Sequence, residues 1–273
     1  MSIYDILCTP LRELVPQSIL IVFSFIFGSC LGSFLNVCIW RIPLGESVVV
    51  VPSHCPKCNH KIRWFDNVPV IGYLVLGGKC RDCKSRISPR YIIMELLVGT
   101  LFLIQAAAGY LNGGSLYMLA AVVIMLSVAV PCAFIDVEHG ILPDKLTFFG
   151  IISGVLFNFF MQPSGNMTRW DGLILSLIGA AAGWLGLGIF AWVTGKIFKR
   201  RTLGWGDVKY AGFIGALLGI PGLLMSLCLA SILGVVFYVI GGKKYCKNGT
   251  LPFGPFLGTA VYLYVLLFFN GVI

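Results

Sequence analysis

Long apolar runs alternate with short polar segments along the whole chain. A run of about 20 apolar residues is long enough to cross the roughly 30 Å hydrocarbon core of a bilayer as a helix. The pattern predicts eight such spans, of which the sixth is short, so a count of seven stays open. They cover residues 18–40, 92–110, 116–135, 146–162, 172–194, 208–220, 222–241 and 255–272.

The composition excludes both a water-soluble globule and a disordered chain. Of the 273 residues, 58% are hydrophobic and 11% are charged, and the mean hydropathy is +0.92. An ordinary soluble domain carries about 25% charged residues. The sequence therefore predicts an all-α polytopic membrane protein.

The positively charged residues predict the orientation of the chain. Segment 41–91 holds nine basic and three acidic residues, and segments 195–209 and 242–248 are also basic. Cytoplasmic loops of membrane proteins are enriched in Lys and Arg. With eight spans, all three basic segments fall on the cytoplasmic side, which favours eight spans over seven. The net charge of +9 thus reports topology, and we expect no nucleic-acid partner.

Four cysteines in segment 41–91 form two close pairs. Cys55 and Cys58 make one CxxC motif, and Cys80 and Cys83 make the other, with 21 residues between the pairs. Four thiolates match the tetrahedral coordination of a closed, structural zinc site. The alternatives are two disulfides or unused thiols.

The sequence predicts three parts: 1–40, with the first span; 41–91, a zinc-binding domain; and 92–273, a transmembrane core.

Two acidic residues border predicted spans at the cytoplasmic face. Asp136 closes the third span, and Asp207 opens the sixth after Gly204 and Gly206. An ionisable group at the membrane boundary suggests function, and two neighbouring carboxylates can divide the roles of general acid and general base. The alternatives are a helix N-cap for Asp207, and interfacial anchoring or helix capping for Asp136 and Asp144.

These residues belong to an ordered set of motifs. The string Gly204-Trp205-Gly206-Asp207-Val208-Lys209 resembles the GxGDxK motif of type IV prepilin peptidases, a family of GxGD intramembrane aspartyl proteases. Other motifs follow the family's order: Gly32-Ser33-Phe34-Leu35-Asn36-Val37, Asn67-Val68-Pro69, Gly78-Lys79-Cys80-Arg81-Asp82-Cys83, Arg90-Tyr91 with Glu95, Leu142-Pro143-Asp144 and Pro252-Phe253-Gly254-Pro255. The resemblance covers nearly the whole chain. Ile92 and Gly72 depart from residues frequent in the family.

The resemblance implies a bifunctional enzyme of the bacterial inner membrane. Such an enzyme cuts the short basic leader from type IV prepilins or pseudopilins at the cytoplasmic face, usually between Gly and Phe. It then methylates the new N-terminal amine with S-adenosylmethionine and serves type IV pili or type II secretion. The family's catalytic aspartates map onto Asp136 and Asp207, with Asp144 as the second choice of partner.

The methyl-donor site is less readable from the sequence. No Gly-rich nucleotide-binding loop follows a strand, so the region of Asn36, Arg90 and Glu95 is the candidate. Glu95 has a simpler interpretation as a charge near the start of the second span, paired with Arg90. Lys209 is either a partner for the acidic residues or substrate, or an interfacial lysine that reaches the lipid headgroups.

Two other classes of protein share part of this pattern. A transporter also has intramembrane acids and broken helices, although its charges lie near the middle of the bilayer. A membrane-anchored zinc-ribbon interaction protein would explain the cysteines but not the two aspartates. Membrane lipids are expected partners in every interpretation.

Overall fold

The computed structural model describes residues 3–50, 52–161, 168–199, 203–241 and 251–268. These residues form ten α-helices, one 3₁₀ turn at Trp64–Asn67 and no β-strand, which confirms the predicted helical class. The helices are α1 (Ile3–Cys8), α2 (Leu11–Leu14), α3 (Gln17–Arg41), α4 (Ile71–Val75), α5 (Arg90–Asn112), α6 (Leu116–His139), α7 (Asp144–Phe160), α8 (Arg169–Phe198), α9 (Trp205–Ile240) and α10 (Gly254–Phe268).

Residues 12–111 form one compact unit, built on α3 and α5. The two helices meet at glycines of α3. A Cβ at Gly28 would lie 2.8 Å from the Cβ of Phe102, and one at Gly32 would lie 2.7 Å from the Met94 carbonyl oxygen. Small residues let two membrane helices approach closely. Because the contacts on α5 run backwards along the chain, the helices are antiparallel, and residues 42–89 connect them at one end.

Residues 1–11 and 112–273 form the other unit, in which α9 is central. Added Cβ atoms at Gly179 and Gly183 of α8 would collide with the carbonyl oxygens of Gly215 and Ala211 on α9. Such contact of helix backbones is the usual way in which membrane helices associate without a hydrophobic driving force. The tight α8–α9 pair therefore depends on the absence of side chains at these positions.

Helix α9 is broken in its middle. Gly219 has non-helical angles (φ 69°, ψ −173°), and Pro221 follows it. Because proline has no N–H, the carbonyl of Leu217 loses its helical donor. The Nδ2 of Asn158 on α7 donates to the carbonyls of Ala216 (2.8 Å) and Leu217 (3.2 Å). A polar side chain of a neighbouring helix thus satisfies backbone groups that lipid cannot.

The helix lengths confirm a multi-pass membrane protein but not the count of eight spans. Among the described residues, α3, α5, α6, α8 and α9 are long and apolar enough to cross a membrane, whereas α10 is apolar but has 15 residues. The predicted spans 208–220 and 222–241 lie on the two sides of the break in α9.

Several of the basic residues used to predict orientation lie outside the described residues. They are Arg200, Arg201, Lys243, Lys244 and Lys247. The orientation of the chain across the bilayer therefore stays a prediction.

Candidate active site

The two predicted catalytic aspartates face one cleft. Asp136 lies in the last turn of α6 and is 8% exposed, and Asp207 lies half-buried in the first turn of α9. Both line a cleft of about 240 Å³ together with the loop after α6 and the residues before Asp207. The charge of Asp136 acts on the Asp207 carboxyl group. Tertiary structure thus brings together two carboxylates that are 71 positions apart in the sequence.

The backbone of α10 holds the Asp136 carboxylate. The N–H of Gly254, the first residue of α10, donates to Asp136 Oδ2 at 2.8 Å, and this contact is buried. The first N–H groups of a helix have no partner within the helix, and the dipole makes this end positive. A carboxylate suits both properties. In the sequence, Gly254 stands out only as part of a motif that resembles the family, and no role was predicted for it.

The glycines before Asp207 have separate structural roles. Gly204 is the N-cap of α9, with extended angles, and the Asp207 carboxylate accepts a hydrogen bond from its backbone. The simple N-cap interpretation of Asp207 is therefore wrong, because Asp207 is the third residue of the helix. A Cβ at Gly206 would lie 2.7 Å from the Cβ of Leu142. The first turn of α9 can thus pack against the loop that follows Asp136.

Asp144 has a different electrostatic environment. Lys209 Nζ donates to Asp144 Oδ1 at 2.7 Å, and the ammonium group also lies 5.6 Å from the centre of the Phe148 ring. The Asp144 side chain is 62% exposed, and it is absent from the described residues that line the cleft. Lys209 therefore pairs with the second-choice aspartate, and this pair links the first turns of α7 and α9.

Tyr210 is a buried polar residue that sequence reasoning missed. It follows Asp207 by three residues on α9, is fully buried, and its hydroxyl has no hydrogen-bond partner among the described residues. Within an apolar span a tyrosine gives no distinct sequence signal, because tyrosines are ordinary packing residues there.

The four predicted zinc cysteines form one cluster. Their sulfur atoms all lie within 4.8 Å of one another, and the Sγ atoms of Cys55 and Cys83 are 3.8 Å apart. Zn–S bonds of about 2.3 Å in a tetrahedron separate the sulfurs by about 3.8 Å, whereas a disulfide holds them at about 2.05 Å. All four cysteines are free thiols. The cluster therefore has the geometry of a four-thiolate zinc site and contradicts the disulfide alternative.

The backbone forms two equivalent turns around the cluster. The N–H of Asn59 donates to the Cys55 carbonyl (2.8 Å), and that of Lys84 donates to the Cys80 carbonyl (3.1 Å). Asn59 and Lys84 have φ angles of 56° and 58°, the left-handed conformation that closes a tight turn. Each CxxC pair is thus presented by a knuckle that directs both sulfurs to one point.

A bidentate ion pair connects the second knuckle to the 3₁₀ turn. Arg81 donates through Nε (2.8 Å) and Nη2 (2.6 Å) to the two carboxylate oxygens of Asp66. The hydrogen bonds from Arg81 lower the pKa of Asp66, and the positive charges of Arg81 and Arg63 act in the same direction. Asp66 therefore stays ionised at neutral pH and holds the 3₁₀ turn beside the cysteine cluster.

The candidate methyl-donor residues lie at the loop end of the α3–α5 pair. Asn36 is 4% exposed, and its Nδ2 has no hydrogen-bond partner among the described residues. Glu95 is 7% exposed and accepts a hydrogen bond from the Val70 N–H through Oε2 at 2.8 Å. Arg90 is the first residue of α5. The simpler interpretation of Glu95 as a helix-start charge misses this contact with the loop.

Comparison with known proteins identifies the family. The model of the bacterial peptidase A24 N-terminal domain matches residues 26–108, and that of the type IV leader peptidase family matches 123–239. The prepilin leader peptidase/N-methyltransferase of Aeromonas salmonicida is 32% identical over 269 residues, which cover 89% of each chain. The chain belongs to the type IV leader peptidase family. The resemblance seen in the sequence motifs is thereby confirmed.

Other relatives carry the same name. The prepilin leader peptidase/N-methyltransferase of Klebsiella pneumoniae is 38% identical over 215 residues, with 77% of this chain and 90% of that protein covered. The one from Myxococcus xanthus is 39% identical over 219 residues, with 80% of this chain but 62% of that protein covered. No solved structure matches the chain.

The two segments matched by the family models contain different site residues. The N-terminal match contains the four cysteines, Asn36 and Glu95, and the C-terminal match contains Asp136 and Asp207. Gly254 lies beyond both matched segments, so its contact with Asp136 is visible only in the structure.

We expect Gly254→Ala to destabilise the protein, because the new Cβ would lie 2.8 Å from Asp136 Oδ2 and 3.1 Å from Asp136 Cβ. Overpacking of this kind costs about 1–3 kcal/mol. Unfolding in detergent measures the cost. Gly258→Ala, one turn later on α10, is the control, because its Cβ would meet other atoms at 3.4 Å or more. Equal stability of the two variants would contradict the role assigned to Gly254.

We expect the purified protein to contain one zinc ion for each chain, and Cys58→Ser to lose it, because three thiolates leave the tetrahedral site open. Metal content by mass spectrometry is the measurement. Cys30→Ser removes an exposed cysteine of α3 that lies outside the cluster, so zinc should be retained. Loss of zinc from both variants, or from neither, would contradict the assignment of the four cysteines as the zinc ligands.

Proposed function

We propose that the protein is a prepilin leader peptidase and N-methyltransferase of the bacterial inner membrane. It removes the basic leader from type IV prepilins or pseudopilins, methylates the new N-terminus, and so serves pilus or type II secretion assembly. The observation that carries this proposal is the cleft that Asp136 and Asp207 share. The names of the relatives support both activities.

The two aspartates hydrolyse the peptide bond through water. The Gly254 N–H donates a hydrogen bond to Asp136 Oδ2 and orients this carboxylate. In this scheme Asp136 acts as the general base and takes a proton from the attacking water. Asp207 acts as the general acid and protonates the carbonyl oxygen. The tetrahedral intermediate then collapses: Asp136 gives the proton it took from water to the leaving nitrogen, and a hydroxyl of the intermediate returns a proton to Asp207 as the C–N bond breaks.

The geometry also supports Asp207, and not Asp144, as the partner of Asp136. Asp144 forms an ion pair with Lys209 at 2.7 Å, and it is absent from the described residues that line the cleft. Lys209 is a positioning residue in this scheme: it joins the start of α7 to the helix turn that carries Asp207.

We also propose that the cleft and the zinc-binding segment face the cytoplasm. Segment 41–91 carries most of the basic residues, as cytoplasmic loops do. A substrate with a basic leader and an apolar helix enters from the bilayer with its cleavage site at this boundary. A cytoplasmic location also keeps the thiols reduced and free to bind metal.

The zinc ion is structural in this proposal. Four thiolates leave no open coordination position, so a bound zinc would crosslink the two knuckles and supply no chemistry to the cleft. Segment 41–91 is too short to bury a large core of its own. A bound metal would therefore stabilise this segment by joining its two knuckles.

The methyl-donor site is proposed at Asn36, Arg90 and Glu95. When bound, S-adenosylmethionine supplies an electrophilic methyl group. Its amino-acid, ribose and sulfonium groups need a cation, hydrogen-bonding groups and an anion. The Nδ2 of the buried Asn36 has no hydrogen-bond partner among the described residues. Asn36 lies one helix turn after Gly32, and a Cβ at Gly32 would lie 3.0 Å from the Cα of the buried Glu95. The residues therefore fit the ligand chemically.

We expect Asp136→Asn and Asp207→Asn to abolish leader removal. A general acid or base contributes about 10²–10⁴-fold to the rate, and each variant should lose at least the lower figure. Mass spectrometry of a prepilin incubated with the detergent-purified enzyme measures the cleavage. Asp144→Asn should still cleave. Cleavage by folded Asp207→Asn would overturn the peptidase assignment. If only Asp136→Asn and Asp144→Asn lost leader cleavage, Asp144 would replace Asp207 as the catalytic partner of Asp136.

Asn36→Ala and Glu95→Gln should weaken the binding of S-adenosylmethionine by about tenfold to a hundredfold, the value of one hydrogen bond to a charged group. Calorimetric titration measures this without turnover. Leader cleavage should survive, because the cleft residues are unchanged. Glu46→Gln replaces an exposed acid of the same loop and serves as the control. Unchanged affinity in Asn36→Ala and Glu95→Gln would move the site elsewhere.

A further inference from the structure

The zinc-binding segment carries exposed apolar side chains on one helix face. Ile71, Leu74 and Val75 of α4 are 60%, 64% and 72% exposed. Residues spaced by three and four positions lie on the same face of a helix. Trp64, in the neighbouring 3₁₀ turn, is 83% exposed. We call Trp64, Ile71, Leu74 and Val75 the apolar edge.

The other side of α4 is already occupied. Gly72 is buried against the 3₁₀ turn, and a Cβ there would collide with the carbonyl oxygen of Asp66. Asp66 is in turn held by the two hydrogen bonds from Arg81. Helix α4 is thus held with its Gly72 side against the 3₁₀ turn, and Ile71, Leu74 and Val75 stay exposed.

A buried carboxylate attaches the start of α4 to a membrane helix. Val70, the residue before α4, donates its N–H to Glu95 Oε2 at 2.8 Å. Glu95 is the sixth residue of α5, so it lies about 7.5 Å along a helix with a rise of about 1.5 Å per residue. Helix α5 is long and apolar enough to span the bilayer. The apolar edge thus begins level with the second turn of a helix that is long enough to span the bilayer.

The backbone at Val70 shows that this attachment is specific. Val70 has φ 63° and ψ −54°, and the Ile71 N–H donates to the Pro69 carbonyl at 2.6 Å. This is a γ-turn with positive φ, a conformation that is costly for a β-branched residue and persists only where surrounding contacts hold it. The Glu95 carboxylate supplies such a contact and brings the chain down against α5.

The charge of the segment that carries the apolar edge suits an anionic surface. Segment 41–91 has six more basic than acidic residues, and it stays positive when four thiolates hold a zinc ion. Six of the basic side chains are exposed: Lys57, Lys61, Arg63, Lys79, Lys84 and Arg86. Basic residues next to a membrane are attracted to anionic lipids, and Trp is enriched at the interface.

We propose that the apolar edge is a lipid-binding surface that inserts into the headgroup–acyl boundary of an anionic bilayer. The basic side chains around it contact the lipid phosphates. The zinc-binding segment then lies flat on the membrane, instead of projecting into the aqueous phase. Apolar exposure, depth along α5 and positive charge are three separate observations that agree on this partner. The proposal is independent of the peptidase and methyltransferase activities.

Site-specific photocrosslinking of the full-length protein tests this proposal. A benzophenone amino acid replaces Leu74 in protein reconstituted into nanodiscs of phosphatidylglycerol and phosphatidylcholine in equal amounts. The matched control carries the same probe at His60, an exposed position of the same segment that belongs neither to the apolar edge nor to the basic side chains assigned to the lipid phosphates. Mass spectrometry then identifies the molecule attached to each probe. Because both native side chains are exposed, neither substitution disturbs a packed core, and retained zinc verifies the fold.

We expect acyl-chain adducts at position 74 in several-fold excess over position 60, with phosphatidylglycerol over-represented among them. Adducts of position 74 with another segment of this chain or with a second copy would overturn the proposal, because protein would then cover the apolar edge. Equal lipid labelling at the two positions, or none at position 74, would also overturn it. Equal labelling of the two lipids would refute the part assigned to the basic side chains.

Discussion

The hydrogen bond from the Gly254 amide to the Asp136 carboxylate is the interaction on which the cleft depends. A carboxylate at the end of a membrane helix needs donors, since burial of an unpaired charge is costly. The start of α10 has N–H groups that need acceptors. One contact of 2.8 Å satisfies both, and it joins residues 118 positions apart. The absence of a side chain at Gly254 makes this approach sterically possible.

The acidic residues near the cleft differ in the charged groups that lie next to them. Asp144 faces the ammonium group of Lys209, whereas Asp136 and Asp207 face each other across one cleft. The same side-chain chemistry thus gives an ion pair in one place and a carboxylate pair in the other. The absence of a side chain at Gly206 lets the first turn of α9, which carries Asp207, pack against Leu142 in the loop after α6.

The zinc-binding segment obtains its order from outside its own small core. The cysteine cluster joins its two knuckles, the Asp66–Arg81 pair attaches the 3₁₀ turn to one of them, and Glu95 attaches α4 to α5. A segment of this length buries little apolar surface. The cysteine cluster, ion pairing and attachment to a membrane helix therefore order this segment where a hydrophobic core is small, and apolar side chains stay exposed on its surface.

The sequence alone determined the membrane class, the helices and the cysteine cluster. These features are local: a span is a contiguous apolar run, and each CxxC pair closes its own turn. The ordered motifs were sufficient to recognise the family. The family motifs already indicated Asp136 and Asp207 as a pair, and the tertiary structure placed both on one cleft. Only the tertiary structure assigned Lys209 to Asp144 and revealed the Gly254–Asp136 and Val70–Glu95 contacts. Each of these contacts joins residues that are far apart in the sequence. A local pattern of residues does not specify which helix ends meet, or how closely.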